Sequence, residues 1–355
     1  MDLCVEYNVL GEDLKQTDVT WSLSGWLLVV ITTLLISSGA HAVSMRVLTL
    51  NIRVSGPSVP NHFRDGPGDW YLRLADMEKV IRKYDPDVFS IQEFEDEKGK
   101  RGILKSKFPD YYVILRARGG IENGREGIGI FAKKSRFSAN LSSSEFQFDC
   151  TSWKKRNIVS VALFDNMDKQ TIEVFGIHAD AHDCREKYVD QLIRRVHDSK
   201  EQNIIVLGDL NDGIDKLGKP MKFYNRLLNG LSEKNVFLKN TYIVLHPTTP
   251  YSGFGTERAE FPAERQNTMI DHILVSPSFK VKNSGIDRTI FLNKSPFVCD
   301  EQLSSWDTDG KSYHCFTNQK DFISIKPFDG RLSYSDHWAV WAEVDLNANV
   351  DPPLL

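Results

Sequence analysis

Large aliphatic residues recur along this chain in short runs that end in acids, amides or histidine. The sharpest run is Ile204–Leu207, four consecutive aliphatic residues that predict a strand buried on both faces. Gly208 frees the backbone after it. Asp209 and Asn211 follow and, in an extended chain, would project to one side from the exposed strand end. Met45–Ile52 predicts another strand, with Asn51 near its end, and Val88–Glu93 a buried strand closing on a carboxylate. Tyr111–Leu115 and Gly127–Ala132 read as strands, and Ile158–Phe164 and Thr171–His178 as a pair around the turn Asp165–Gln170. Met269–Ser276 carries Asp271 and His272, and the last strand, Trp338–Asp345, directly follows Ser335-Asp336-His337.

Helical spacing is found over Tyr71–Tyr84, where Leu72, Ala75, Met77, Val80 and Ile81 form an apolar stripe. It recurs over Cys184–Ser199, with Tyr188, Leu192, Ile193 and Val196 on one face, and shorter helices are expected over Gly99–Lys107 and near Pro220–Leu228. Ser55–Asp69 and Pro247–Asn267 read as loops, and Ile286–Leu332 as a poorly patterned excursion. No repeat or low-complexity linker divides the chain, so residues 43–355 are expected to hold a single domain, from about Ser44 to Asn347. Strands outnumber helices, and hairpins mix with helical crossovers. That balance predicts an α+β layered sandwich rather than a parallel α/β sheet.

Charge and cysteines change the picture at the N-terminus. The formal charge of -4 resides in residues 1–42, where five acids (Asp2, Glu6, Glu12, Asp13, Asp18) face one base, Lys15. The remainder is neutral, which argues against tight nonspecific binding to a phosphate backbone but leaves room for a local substrate patch. No charge occurs from Val19 to Met45, and the apolar core Trp26–Ile36 has the length of a signal-peptide h-region. Ala40-His41-Ala42 supplies the small-x-small pattern for cleavage before Val43, and the expectation is a secreted chain. The long acidic n-region is atypical. An uncleaved membrane anchor over 21–43 is the alternative, and a start at Met45 would leave a cytosolic chain. Beyond Cys4, the cysteines Cys150, Cys184, Cys299 and Cys315 have no CxxC spacing of a zinc cage. Four cysteines allow three disulfide pairings: a local Cys299–Cys315 bridge would leave Cys150 with Cys184, and four buried thiols is the other reading. The sequons Asn140-Leu141-Ser142 and Asn293-Lys294-Ser295 are compatible with export.

Asn51, Glu93, His178, Asp209, Asn211, Asp271, Asp336 and His337 all fall at or near ends of expected buried strands. Ser, Cys and Lys nucleophiles do not recur there. In the order LTLNI, SIQE, GIH, GDLN, IDHI and SDH, over residues 46–344, this set resembles the endonuclease/exonuclease/phosphatase superfamily, above all its pancreatic-deoxyribonuclease-like members. The resemblance implies a four-layer αββα sandwich, with two packed mixed β-sheets flanked by helices, and divalent-metal-dependent attack on a phosphoester.

Physical need assigns the roles. An in-line phosphoester displacement must neutralise nonbridging oxygens, activate a water and protonate the leaving oxygen. Mg²⁺, with Mn²⁺ or Ca²⁺ as alternatives, takes hard oxygen ligands and keeps several waters. Glu93 is the expected ligand, supported by Asn51 and Asp336. His337, oriented by Asp271, is the expected general base, and His178 the second acid/base group. In the deoxyribonuclease-like branch that histidine is paired with a glutamate, and Glu126 matches the place. Asp209 and Asn211 would position the phosphate or a second ion. Arg156, after Trp153-Lys154-Lys155, could meet substrate phosphates or belong to a solvated charge run. His272 is expected to be structural because it points away from the face of Asp271, Trp70 and Arg73 are expected to pack a helix, and His182 falls in a loop.

The motifs fix the reaction more closely than the substrate. Val206-Leu207 before GDLN and His272 after Asp271 fit phosphoinositide 5-phosphatases poorly. The expectation is a secreted, monomeric nuclease acting on nucleic acid. A sphingomyelinase-like phospholipid phosphodiesterase and an inactive secreted binding protein on the same scaffold are the alternatives.

Overall fold

The computed structural model describes residues 43–52, 67–95, 99–118, 126–138, 142–150, 155–180, 184–215, 218–247, 268–287, five short strands between 289 and 325, and 337–346. The leader, His182, Asp336 and the loop expected over 247–267 lie essentially outside these residues.

Among the described residues, seventeen strands and five helices occur in this order: β1 Met45–Asn51, α1 Pro67–Tyr84, β2 Val88–Glu95, α2 Lys100–Lys107, β3 Tyr111–Ala117, β4 Glu126–Lys133, β5 Ser142–Asp149, β6 Lys155–Asp165, β7 Gln170–His178, α3 Arg185–His197, β8 Ile204–Ile214, α4 Lys222–Ser232, β9 Lys239–Asn240, α5 Thr241–Leu245, β10 Met269–Val275 and β11 Phe279–Asp287, then β12 Thr289–Leu292, β13 Ser295–Val298, β14 Ser305–Trp306, β15 Tyr313–Phe316, β16 Phe322–Ile325 and β17 Ala339–Leu346. Two six-stranded sheets form the body, ordered β11-β17-β1-β2-β4-β3 and β5-β6-β7-β8-β10-β9. Both are mixed: β1 runs parallel to β2, and β7 parallel to β8, while the other neighbours within them are antiparallel. Buried Leu, Ile, Val and Phe from both faces of the sheets form one core, including Leu48, Ile91 and Phe131 of the first sheet and Val159, Val174 and Leu207 of the second. The α+β sandwich with two packed mixed sheets is the architecture expected from the sequence.

Several boundaries differ. Helix α1 begins at Pro67, inside the expected loop, because proline suits a first helical turn whose N–H groups lack intrahelical partners. The polar edge strand β5 and the strand β11 had no assigned pattern. The excursion beyond Ile286 carries the small sheets β12-β13 and β14-β15-β16. Strand β8 does not stop at Leu207 but continues to Ile214, so Asp209 is buried rather than at an exposed end.

At the end of the sheets away from Asn51, buried Arg136 joins the two layers. Its guanidinium donates to Asp87 of one sheet and Asp165 of the other, and to the Val43 and Ser44 carbonyls that lead into β1. Cys150 and Cys184 are bonded, tying the end of β5 to the start of α3, with Cα atoms 5.2 Å apart. Cys299 lies outside the described residues.

Candidate active site

Parallel β1 and β2 bring Asn51 and Glu93 out side by side, and parallel β7 and β8 do the same for His178 and Asp209. Asp271 of β10 pairs directly opposite Asp209. His337 stands just before β17, whose antiparallel pairing with β1 delivers it to the same end. The polar ends of two sheets therefore meet at one place.

Local backbone geometry aims the side chains. The β2–β4 register slips between Gln92 and Phe94, and Glu93 between them takes a left-handed conformation, φ 61°. A non-glycine residue held there costs about 1–3 kcal/mol, which the surrounding structure must offset. The bulge turns the Glu93 carboxylate toward Asn51, whose Nδ2 donates to Glu93 Oε1 at 2.9 Å and to Asp209 Oδ2 at 3.1 Å. Asn211 is also left-handed, φ 52°. Its backbone N–H donates to Asp209 Oδ1 at 2.6 Å, and its Nδ2 to Asp209 Oδ2 at 3.2 Å and to the Ala179 carbonyl at 3.1 Å. Asp209 is thereby fixed in one orientation.

Two imidazoles approach Asp209 Oδ2. His178 Nε2 lies 3.7 Å from it and 3.6 Å from Glu93 Oε1. His337 Nε2 lies 4.0 Å from it, while His337 Nδ1 is 2.8 Å from Asp271 Oδ2. The Asp271 carboxylate accepts from Nδ1–H, which leaves Nε2 as the basic nitrogen. Burial raises the Asp209 carboxyl well above the usual range, and neighbouring Asp271 raises it further, against opposing contributions from His337 and the Asn211 N–H. Buried carboxylates clustered this closely call for a cation. Glu93 and Asp209, with the Asn51 amide between them, offer the hard oxygen donors that Mg²⁺ takes, and Glu93 stays partly open to solvent water. Asp209, Asp271 and His337 form another close group. There, however, the Nδ1 hydrogen bond to Asp271 makes an oriented base of the histidine.

Two expectations change. Glu126 was expected beside His178, but its carboxylate meets the Arg118 guanidinium, opposite Glu95 in the β2–β4 pairing. The bulge at Glu93 supplies the carboxylate next to His178 instead. Arg156 is not part of a solvated run. It is buried at the start of β6 and ion-paired with Asp180 at 3.4 Å, and its Nε and Nη1 have no hydrogen-bond partner among the described residues. Asp336 lies outside the described residues, and Arg73 packs inward, donating to the Ile52 carbonyl at 2.8 Å.

His272 is turned away from this cluster. Its ring stacks on Tyr224, Nδ1 accepts from Asn240 at 3.0 Å, and Nε2–H donates to the Asp212 carbonyl at 2.9 Å. Burial pushes its pKa down to about 4, so folding favours the neutral ring. The unfolded chain binds the extra proton between about pH 6.5 and pH 4, and stability is lost as pH falls through that window. Urea unfolding is expected to show about 2 kcal/mol of acid loss by pH 5 that His272→Gln removes. An equal loss in the variant would clear His272 of that role.

Sequence reasoning missed Tyr188 as part of this site, having placed it on an apolar helix face. Its hydroxyl accepts from the His178 backbone N–H at 2.9 Å. A phenol on an otherwise aliphatic stripe was the available signal, since a buried tyrosine hydroxyl seeks a partner.

Comparisons with known proteins agree with this fold. The model of the Endonuclease/Exonuclease/phosphatase family matches residues 48–337. An endonuclease/exonuclease/phosphatase family protein from Bacteroides thetaiotaomicron is similar in structure, with TM-score 0.56 and 19% identity, over 86% of this chain and 98% of that one. A mannosyl-6-phosphatase from the same species gives TM-score 0.54 and 19% identity over 84% and 99%. TDP2 of D. rerio, complexed with single-strand DNA product, gives 0.52 and 14% over 85% and 99%. At these identities the structures speak for the fold alone. No curated protein sequence matches the chain.

Proposed function

This chain belongs to the endonuclease/exonuclease/phosphatase family, and from that premise we propose that it is a divalent-metal-dependent phosphodiesterase acting on nucleic acid. The observation that carries the reading is the approach of two imidazoles, at 3.7 and 4.0 Å, to one oxygen of Asp209. A diester releases an alkoxide that needs a proton, while the attacking water must lose one. Two histidines on different elements can divide those tasks.

His337 Nε2, made basic by Asp271 behind it, takes the proton from water. His178 Nε2, between Glu93 and Asp209, delivers one to the leaving oxygen. Asn211 holds Asp209 in place, and Asn51 holds Glu93 and Asp209 together. Buried Arg156, whose Nε and Nη1 have no partner among the described residues, is suited to a substrate phosphate beside His178. Glu93, Asp209 and Asn51 would hold the divalent ion, which supplies charge neutralisation to the phosphoryl oxygens when bound. The D. rerio TDP2 complex with single-strand DNA product supports a polynucleotide substrate. Export is supported by Ala40-His41-Ala42 before Val43 and by the bonded Cys150–Cys184 pair.

The test offers the purified chain plasmid DNA, RNA, sphingomyelin, bis-p-nitrophenyl phosphate and a sugar phosphomonoester, with Mg²⁺ or Mn²⁺. Nicked plasmid and hydrolysed diester, both abolished by EDTA, are expected. Sphingomyelin turnover without DNA cleavage would replace the substrate, and cleavage of the monoester alone would replace the reaction class.

A further inference from the structure

The antiparallel ladder between β6 and β7 runs from Asp165 opposite Gln170 to Ile158 opposite Ile177. One rung further, Asn157 and His178 face each other, and a direct bond from the His178 N–H to the Asn157 carbonyl would continue the sheet. That rung is occupied by a side chain. The Tyr188 hydroxyl accepts from His178 N–H at 2.9 Å and donates to the Asn157 carbonyl at 3.1 Å. One hydroxyl thus uses its donor and an acceptor position to replace a backbone bond.

The insertion acts on one edge of β7 only. On the other edge the strand stays paired with β8, with His178 opposite Asp209 and Ala179 N–H donating to the Asp209 carbonyl at 2.9 Å. The end of β7 is therefore parted from β6 by an oxygen atom while held against the strand that carries Asp209. The wedge itself is firmly mounted. Tyr188 is wholly buried, packs on Phe148 with ring centroids 5.7 Å apart, and sits one turn into α3, whose start is bonded through Cys184 to β5. Burial also pushes its phenol pKa upward, which keeps the donor proton in place.

We propose that Tyr188 is a positioning residue for His178, its hydroxyl setting how far the histidine stands from Glu93 and Asp209. This inference rests on the hydrolase reading above, and it assigns Tyr188 no contact with substrate. Without the hydroxyl, the link between the His178 N–H and the Asn157 carbonyl is lost. Closing the rung directly is the route to satisfy both. Closure draws His178 toward β6 and away from the other sheet.

The test compares full-length wild type, Tyr188→Phe and Leu192→Ala on bis-p-nitrophenyl phosphate at saturating Mg²⁺, with unfolding midpoints measured alongside. Displacement of a reacting group on the order of 1 Å can cost roughly 10²-fold, so Tyr188→Phe is expected to lower kcat by about 10- to 100-fold with KM changed less than about threefold. Leu192→Ala removes core packing from the same helix and should lower the midpoint at least as far while keeping kcat within about twofold. A Tyr188→Phe chain with wild-type kcat would overturn the inference, as would a Leu192→Ala chain that loses kcat in proportion to its stability. Tyr188→Met, which lacks the hydroxyl but fills the space, is the second variant, and failure of both to fold would reduce the hydroxyl to a stability element. An inert wild type would remove the hydrolase reading and this inference together. An active wild type beside an equally active Tyr188→Phe would remove this inference alone.

Discussion

His337→Ala is expected to lower diester turnover by roughly 10²- to 10³-fold, the loss that follows removal of a positioned general base. Its imidazole is held by a 2.8 Å bond from Nδ1 to a buried Asp271 carboxylate, and Nε2 faces the cluster 4.0 Å from Asp209. The alanine variant leaves Asp209, Glu93 and Asn51 in place, so metal affinity should change little, and the effect should appear in kcat. Asp271→Asn is the sharper companion. It keeps the size of the side chain but can offer its amide N–H to Nδ1, which favours the wrong imidazole tautomer. Its loss should approach that of His337→Ala although the imidazole remains. Added imidazole should restore part of the rate in His337→Ala and none in Asp271→Asn. Turnover at wild-type rates in the alanine variant would take His337 out of the reaction.

The convergence of these residues was legible because strand ends are legible. A buried strand must be nearly all apolar, so an acid, amide or histidine at or near the end of such a run stands out. Asn51, Glu93, His178, Asp209 and Asp271 were all marked in that way. Their partners were harder to read. Glu126 and Glu93 are both carboxylates on adjacent strands, and choosing between them depended on a bulge and a left-handed residue that leave no mark in a hydrophobic pattern. Arg156 followed two lysines and read as a charge run, yet Asp180, 24 positions later, draws it inside. Strand β5 escaped notice because it is a sheet edge with serines and glutamate exposed on most positions, and only Phe148 is buried. Tyr188 was assigned correctly to a helix face and incompletely to a role, since its hydroxyl acts on the backbone of a strand.

Gly208→Ala should be a strongly destabilising small substitution beside the site. Gly208 has φ 145°, and a Cβ there would lie 2.0 Å from the Ile177 carbonyl oxygen and 2.9 Å from the Ile177 carbonyl carbon. The obstacle is backbone of the paired strand β7, which cannot move without shifting His178, its next residue. Conformational strain of about 1–3 kcal/mol and overpacking of similar size add, so a loss of about 2–6 kcal/mol is expected. For a domain of about 300 residues, thermal unfolding should fall by roughly 3–10 °C. Gly102→Ala is the matched control. It lies within α2 with nothing within 4 Å of an added Cβ, and alanine favours a helix interior over glycine by about 0.5–1 kcal/mol. The control should melt at or slightly above wild type with full activity. If Gly208→Ala melted alongside it, the close approach of β8 to β7 would not be what holds Asp209 and His178 within reach of each other.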